Sequence, residues 1–267
     1  MPESPSTWHH GLVARWWAEF NEGGGDIAYF QRHVERGQPA LDVACGTGRL
    51  LIPFLRTHLD VDGCDVSADM VALCRQKAER EGLSPTLFVQ PMHELDPPRT
   101  YATIFVCGGF GLGSDRNRDA EALRRFHNSL ERGGTLVLDN ENPYALGGSW
   151  RYWPSGTRRE LPQSWEPLDT AERRRADDGA EYALQTRVVD LDPLEQLITY
   201  ELRAGMWRDD ELVQEEEHTL HMTAYFKNEL ALLLERAGFV DIVIHGDHRE
   251  EPPTKDSGFI VFVAKKP

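Results

Sequence analysis

Cysteine is scarce in this chain. The four residues, Cys45, Cys64, Cys74 and Cys107, form no CxxC pair, so neither a disulfide framework nor a thiolate metal site is expected. Long apolar runs are missing too: stretches such as 259–264 fall far short of the roughly 20 residues that span a bilayer. The opening MPESPSTWHH has neither the basic segment nor the apolar run of a secretory leader. Cations are outnumbered, with 29 Lys and Arg against 44 Asp and Glu and a net charge of −15. Such a chain lacks the cation density that drives duplex binding, and anionic lipid surfaces repel it. Nucleic acid and membrane are therefore not expected as partners. No GxSxG, HExxH or Walker A sequence is present, which removes the common signatures of serine hydrolases, zinc proteases and P-loop enzymes. The expectation is a cytoplasmic protein with free thiols and no metal.

What is there is enough apolar material to fold. Forty per cent of the 267 residues are hydrophobic, sufficient for one large domain or one domain with an insertion. Trp8, Leu12, Val13, Trp16, Trp17 and Phe20 recur at helical spacing until Asn21-Glu22-Gly23-Gly24-Gly25 breaks the run. A second helix is expected over 26–36, with Asp26 as its N-cap. From residue 38 short apolar runs alternate with amphipathic ones: strands at 40–44, 60–64, 86–90, 103–107 and 135–139, and helices at 48–57, 67–81 and 115–131. Ser67 should cap the second of these helices, and Gly133-Gly134 should end the third. Alternation at this spacing implies right-handed crossovers. The fold expected is α/β: a Rossmann-like, mainly parallel seven-stranded sheet with helices on both faces. Residues 143–222 interrupt the rhythm with three β-like runs, 181–190, 196–206 and 212–222. Ile198, Tyr200, Leu202, Ala204 and Met206 alternate there with more polar positions, as a one-sided antiparallel sheet requires. A helix at 227–237 and strands at 240–245 and 259–264 then close the domain. The chain thus divides into an N-terminal helical cap (1–37), an α/β domain (38–142 and 223–267) and an inserted β-meander (143–222) suited to a substrate or dimer role.

The chemistry is carried by Leu41-Asp42-Val43-Ala44-Cys45-Gly46-Thr47-Gly48-Arg49-Leu50, where the first strand meets its helix. Two glycines admit close approach of a ligand, and free helix amides favour an anionic group. Asp65, nineteen residues after Gly46, stands where a carboxylate can accept both ribose hydroxyls. A dinucleotide fingerprint would need a third glycine, but Leu51 occupies that position. The stretch closely resembles motif I of class I S-adenosylmethionine (SAM)-dependent methyltransferases. Val61 to Met70, with Asp65, Ser67 and Met70, resembles the second motif of that family. Gly133-Gly134 and Leu233-Leu234-Glu235-Arg236-Ala237-Gly238-Phe239 are similar to its later landmarks.

The resemblance implies SAM as cofactor, S-adenosylhomocysteine as product and a small-molecule acceptor, methylated on O or N. It places Ala44, Gly46 and Gly48 along the methionine and ribose, Asp65 on the ribose, and Val66 and Met70 near the adenine. Met92 would cover the other adenine face, and Cys107 with Gly108 would meet the methionyl amino group. Many relatives place an aspartate before the residue matching Met92, where this chain has Pro91; Gln90, His93 or main-chain atoms are then left to serve the adenine. Asp42 can contact ligand or order the glycine loop. Met70 and Met92 also fit as core fillers. His93 is the candidate base if the acceptor must lose a proton. In similar methyltransferases a leading helix covers the cofactor, which would put Arg15 or Trp16 against SAM or substrate; a solvated face is the alternative for Arg15. Trp150, Tyr152, Trp153 and Trp165 either pack the meander or line an acceptor pocket. His245 and His248 flank a turn and are expected in solvent. A β-insertion after the fifth strand resembles amino-sugar methyltransferases, in which it shapes the acceptor site and often a homodimer. An NAD-dependent oxidoreductase and a non-catalytic SAM-binding protein are the rival readings.

Overall fold

The apolar runs of the α/β region pair into one seven-stranded sheet. In the computed structural model, which describes residues 7–145 and 149–267, the first five strands are β1 (Ala40–Val43), β2 (Val61–Asp65), β3 (Leu87–Val89), β4 (Tyr101–Val106) and β5 (Leu130–Glu141). Four strands, β6 (Arg174–Arg175), β7 (Glu181–Asp192), β8 (Leu197–Arg208) and β9 (Glu211–Thr223), form a separate antiparallel sheet. β10 (Val240–Gly246) and β11 (Phe259–Lys265) rejoin the first sheet, whose order is β10-β11-β5-β4-β1-β2-β3. Only β11 runs against its neighbours. The Rossmann-like, mainly parallel architecture expected from the sequence is the one observed.

Alternation along the strands sorts the core into two layers. Leu41, Val43, Ile104, Val106, Leu136, Leu138, Ile260 and Phe262 face α5 (Arg116–Ser129) and α7 (Lys227–Arg236). Ala40, Phe105, Val137 and Val261 face α2 (Ile27–Arg36), α3 (Leu51–Arg56) and α4 (Ala68–Arg80). Polar residues on this second face at the carboxyl ends of the strands therefore point to where the first helices begin. Those residues are Asp42, Cys107 and Asp139.

Local chemistry accounts for most helix ends. Ser67 caps α4 by accepting the Met70 amide, and Asp115 caps α5 by accepting the amides of Asn117 and Arg118. Asp26 does not cap α2: its backbone is already helical and its carboxylate is held by Arg49. The helix expected at 48–57 starts only at Leu51. Ala44, Gly46 and Gly48 all have positive φ, so the chain is still turning through the loop that the helix follows. Gly133 and Gly134 lie inside β5 rather than ahead of it, at a register shift against β4.

The meander packs on both sides at one end. Leu202, Ala204 and Met206 face α1 (Gly11–Phe20) through Leu12 and Val13. Trp207 and Ala183, on the opposite side, are covered by Leu168, so the sheet is not one-sided there. α6 (Ser155–Arg158) and the Trp150–Trp153 turn belong to the same insertion. Among the described residues, no helix is long and apolar enough to cross a membrane.

Candidate functional site

A cavity of about 830 Å³ opens at the carboxyl ends of β1, β2, β4 and β5. Clefts of this size at strand ends are where α/β sheets bind ligands. Its floor is the turn after β1. Gly46 (φ +53) and Gly108 (φ +67) each have a left-handed backbone, and a Cβ on either would meet nothing within 4 Å. Both therefore leave open space on the side where a ligand would lie.

Asp65 closes this turn. Its carboxylate accepts the amides of Gly46 at 2.9 Å and Ser67 at 2.8 Å, so the end of β2 is tied to the loop after β1. Burial raises its carboxyl above the ordinary range, and the amides of Ser67, Gly46 and Val66 oppose that rise. Each oxygen keeps a further lone pair for a hydroxyl donor. Asp42 lines the same cavity, and burial holds its carboxyl well above the usual range. Among the described residues it makes no hydrogen bond to the loop amides; Asp65 does that work.

The other end of the cavity carries a polar cluster that sequence pattern alone did not reveal. Arg49 grips Asp26 through two bonds, of 2.9 and 2.6 Å, and also donates to the Cys107 sulfur at 3.2 Å. Asp139, 2% exposed, accepts the Gly108 amide at 2.6 Å and sits 2.8 Å from His248 Nε2. His248 is thus not solvated, as its place in a turn implied. The β10–β11 turn bends inward instead, with Asp247 and His248 both at positive φ. Asp247 pins that bend by accepting the amides of Gly258 and Phe259. Burial beside Asp139 and Asp26 pushes the Cys107 thiol up. These contacts join residues from six parts of the chain, so only the strand register brings them together.

Ala44, Gly46, Asp65, Val66, Met70, Met92, Cys107 and Gly108 all line the cavity, as do Pro91 and His93. Gly48 does not. Its missing Cβ makes room for Cys74 and Ile52, which would stand 2.8 and 2.9 Å away, so the position serves helix packing. Arg15 is exposed and lines no part of the cavity. The leading segment contributes Thr7, Trp8, His9 and Trp17 in its place. The Gln90 side-chain oxygen accepts the Asp96 amide at 3.1 Å, and Gln90 lines the cavity together with His93. Trp150, Trp153 and Trp165 stand away from the cavity; Trp150 and Trp153 meet Phe226 edge to face instead. Leu51, where a dinucleotide fingerprint has glycine, is fully buried in the sheet-facing core.

The segment over the cavity is firmly docked. Asp69 accepts the Gly11 amide and Glu216 the Leu12 amide, each at 2.8 Å. These two carboxylates satisfy free amides at the start of α1 from opposite sides, one from α4 and one from β9. The Ser67 hydroxyl donates to the His9 carbonyl, and Lys77 donates to the Ala18 carbonyl at 2.9 Å.

The chain is similar to known methyltransferases in sequence and in fold. The methyltransferase domain family matches residues 40–134. A Geobacillus sp. (strain WCH70) protein named as a methyltransferase is 24% identical over 231 residues, covering 85% of this chain and 83% of its own. The structure of a SAM-dependent methyltransferase from Clostridium acetobutylicum superposes with a TM-score of 0.68 at 17% identity, over 94% of this chain and 96% of that one. The sugar N-methyltransferase KedS8 from Streptoalloteichus gives 0.67 at 17% identity, over 100% and 98%. At such identities the structural likeness is one of fold.

Proposed function

We infer, from a chain whose residues 40–134 form a methyltransferase domain within the fold of the class I SAM-dependent methyltransferases, that the cavity binds SAM and serves methyl transfer to a small molecule. The observation that carries this reading is the Asp65–Gly46 contact at the floor of an 830 Å³ cleft. It places a carboxylate with spare acceptor capacity beside a turn open enough for a nucleoside. Asp65 takes the ribose hydroxyls, Val66, Met70 and Met92 surround the adenine, and the open faces of Gly46 and Gly108 accommodate the methionyl chain. When bound, SAM supplies a methyl carbon on a sulfonium, which is electrophilic without metal or covalent help. The protein's own task is then to hold acceptor and donor in line and keep water out. Thr7, Trp8, His9 and Trp17 do the excluding.

The acceptor is small in this reading, because Thr7, Trp8, His9 and Trp17 wall one side of a cleft whose 830 Å³ is of the size that small-molecule sites have. Asp26, Asp42, Asp65, Asp119, Asp139 and Asp247 outnumber the cations Arg49, Arg118 and Arg249 along its wall, which favours neutral or cationic acceptors over anions. The fold shared with a sugar N-methyltransferase supports the same size class.

Calorimetric titration with S-adenosylhomocysteine, with NAD as control, tests the cofactor assignment. Binding of the first alone is expected; binding of NAD alone overturns it. Transfer of labelled methyl from SAM to metabolites separates an enzyme from a non-catalytic SAM-binding protein.

A further inference from the structure

Three histidines line the cavity, and their surroundings differ. His9 spends both ring nitrogens within its own segment: Nε2 accepts the Trp8 indole N–H at 2.9 Å, so Nδ1 carries the proton and donates it to Thr7 Oγ1 at 2.9 Å. Burial, with His10 and His218 nearby, lowers its pKa to about 4. His93 stands 3.6 Å from its sequence neighbour Glu94, which is itself 69% exposed; that separation is too long for a hydrogen bond. His248 alone meets a buried carboxylate, Asp139, and it is carried there by a backbone bend held at positive φ by Asp247.

We propose that His248 is the general base that takes the proton from the acceptor, with Asp139 as its positioning residue; the proposal rests on the methyltransferase reading above. The contact with a carboxylate fixes the proton on Nε2. Nδ1 then keeps its lone pair, and among the described residues it has no hydrogen-bond partner. Phe259, Phe30 and Tyr29 enclose the ring at centroid distances of 5.1, 5.7 and 5.9 Å, which restricts its rotation. Asp139 is itself held by the Gly108 amide and by the Cys107 thiol at 3.5 Å. The pair therefore has the order of a base and its orienting acid. In the step, a lone pair on the acceptor's nitrogen or oxygen forms the bond to the methyl carbon, while its X–H proton passes to His248 Nδ1 and the X–H electron pair stays on the heteroatom. The sulfur–methyl pair returns to sulfur. The resulting imidazolium lies against Asp139, which stabilises it without taking the proton.

The variants are H248N and D139N, since asparagine tolerates the positive φ at position 248. Nitrogen-15 NMR of the imidazoles comes first, because it requires no turnover. The signal missing from H248N should show Nε2–H in the wild type, and D139N should lose that preference. A wild-type Nδ1–H tautomer overturns the proposal. Next, labelled SAM is offered with a panel of primary amines and hydroxy compounds. H248N should transfer methyl at least about 100-fold more slowly, partly rescued by added imidazole, with S-adenosylhomocysteine affinity within about threefold of wild type. Transfer by H248N within threefold of wild type, or loss of transfer and affinity in parallel, overturns the base assignment. A wild type that binds S-adenosylhomocysteine but methylates nothing in the panel overturns it as well, while the cofactor reading survives. Failure to bind S-adenosylhomocysteine removes the methyltransferase reading itself. If H248N does not fold, D139N carries the same comparison.

Discussion

The Asp65 carboxylate meets the Gly46 amide at 2.9 Å, across nineteen residues of sequence. This contact fixes the distance between the end of β2 and the turn after β1, and it leaves acceptor capacity facing the cavity. A carboxylate hydrogen bond to a ligand contributes on the order of 1.5–3 kcal/mol. Asp65→Ala is therefore expected to weaken S-adenosylhomocysteine binding roughly tenfold to a hundredfold, and Asp65→Asn by less, since one acceptor remains. Calorimetry on both variants checks this; unchanged affinity in the alanine variant would mean that the ribose lies elsewhere.

Gly46 and Gly48 share a motif but not a role. A methyl group on Gly46 would enter the cavity, whereas one on Gly48 would strike Cys74 and Ile52. Both substitutions carry the cost of a positive φ, about 1–2 kcal/mol. Gly48→Ala adds overpacking of about 1–3 kcal/mol. Gly46→Ala should thus lose ligand affinity with a small fall in Tm, and Gly48→Ala should lose several degrees more in Tm. Thermal melts and calorimetry on the pair check the split, and the reverse ranking would refute the packing role of Gly48.

How much of this was legible in the sequence follows from the range of the interactions involved. The turn at 44–48 and Asp65 were readable because a strand, a glycine loop and a helix lie in one continuous segment with fixed spacing. The parallel sheet was readable because each strand and helix announces itself by its own periodicity. Asp139–His248 was not, because β5 and the β10–β11 turn are 109 residues apart and meet only through β11. Asp26 looked like a cap because caps are local, but a bidentate pairing with Arg49, twenty-three residues on, took its carboxylate instead. Arg15 was misplaced for a related reason. Helical periodicity shows which residues share a face, and says nothing about which face turns to the cavity.

Docking of α1 gives that last point a test. Trp17 lines the cavity and Arg15 does not, and the segment is clamped by Asp69 and Glu216. Arg15→Ala should leave S-adenosylhomocysteine affinity within about twofold of wild type. Removal of residues 1–20 should lower it by about tenfold or more, because the cleft then opens to water. Equal affinity of full-length and truncated protein would show that the segment covers the acceptor side alone.

His33 makes the acid limb of stability testable. It is 8% exposed on α2, and no hydrogen bond reaches its Nε2. Burial, reinforced by Arg36, lowers its pKa from 6.5 to about 4. Above pH 6.5 the ring is neutral in both folded and unfolded chains and contributes no pH dependence. Between pH 6.5 and 4 the unfolded chain binds a proton that the folded one refuses, so stability falls as pH falls. The full difference amounts to about 3 kcal/mol, at about 1.4 kcal/mol per pKa unit. Asp119, whose pKa burial raises to about 6, works in the opposite sense over an overlapping range, so the wild-type curve alone does not isolate His33. His33→Phe keeps a ring beside Tyr29 and removes the titration. Urea unfolding midpoints for both proteins from pH 7 to 4 should diverge below pH 6.5 in favour of His33→Phe, whereas parallel curves would show that His33 is protonated in the fold at no cost.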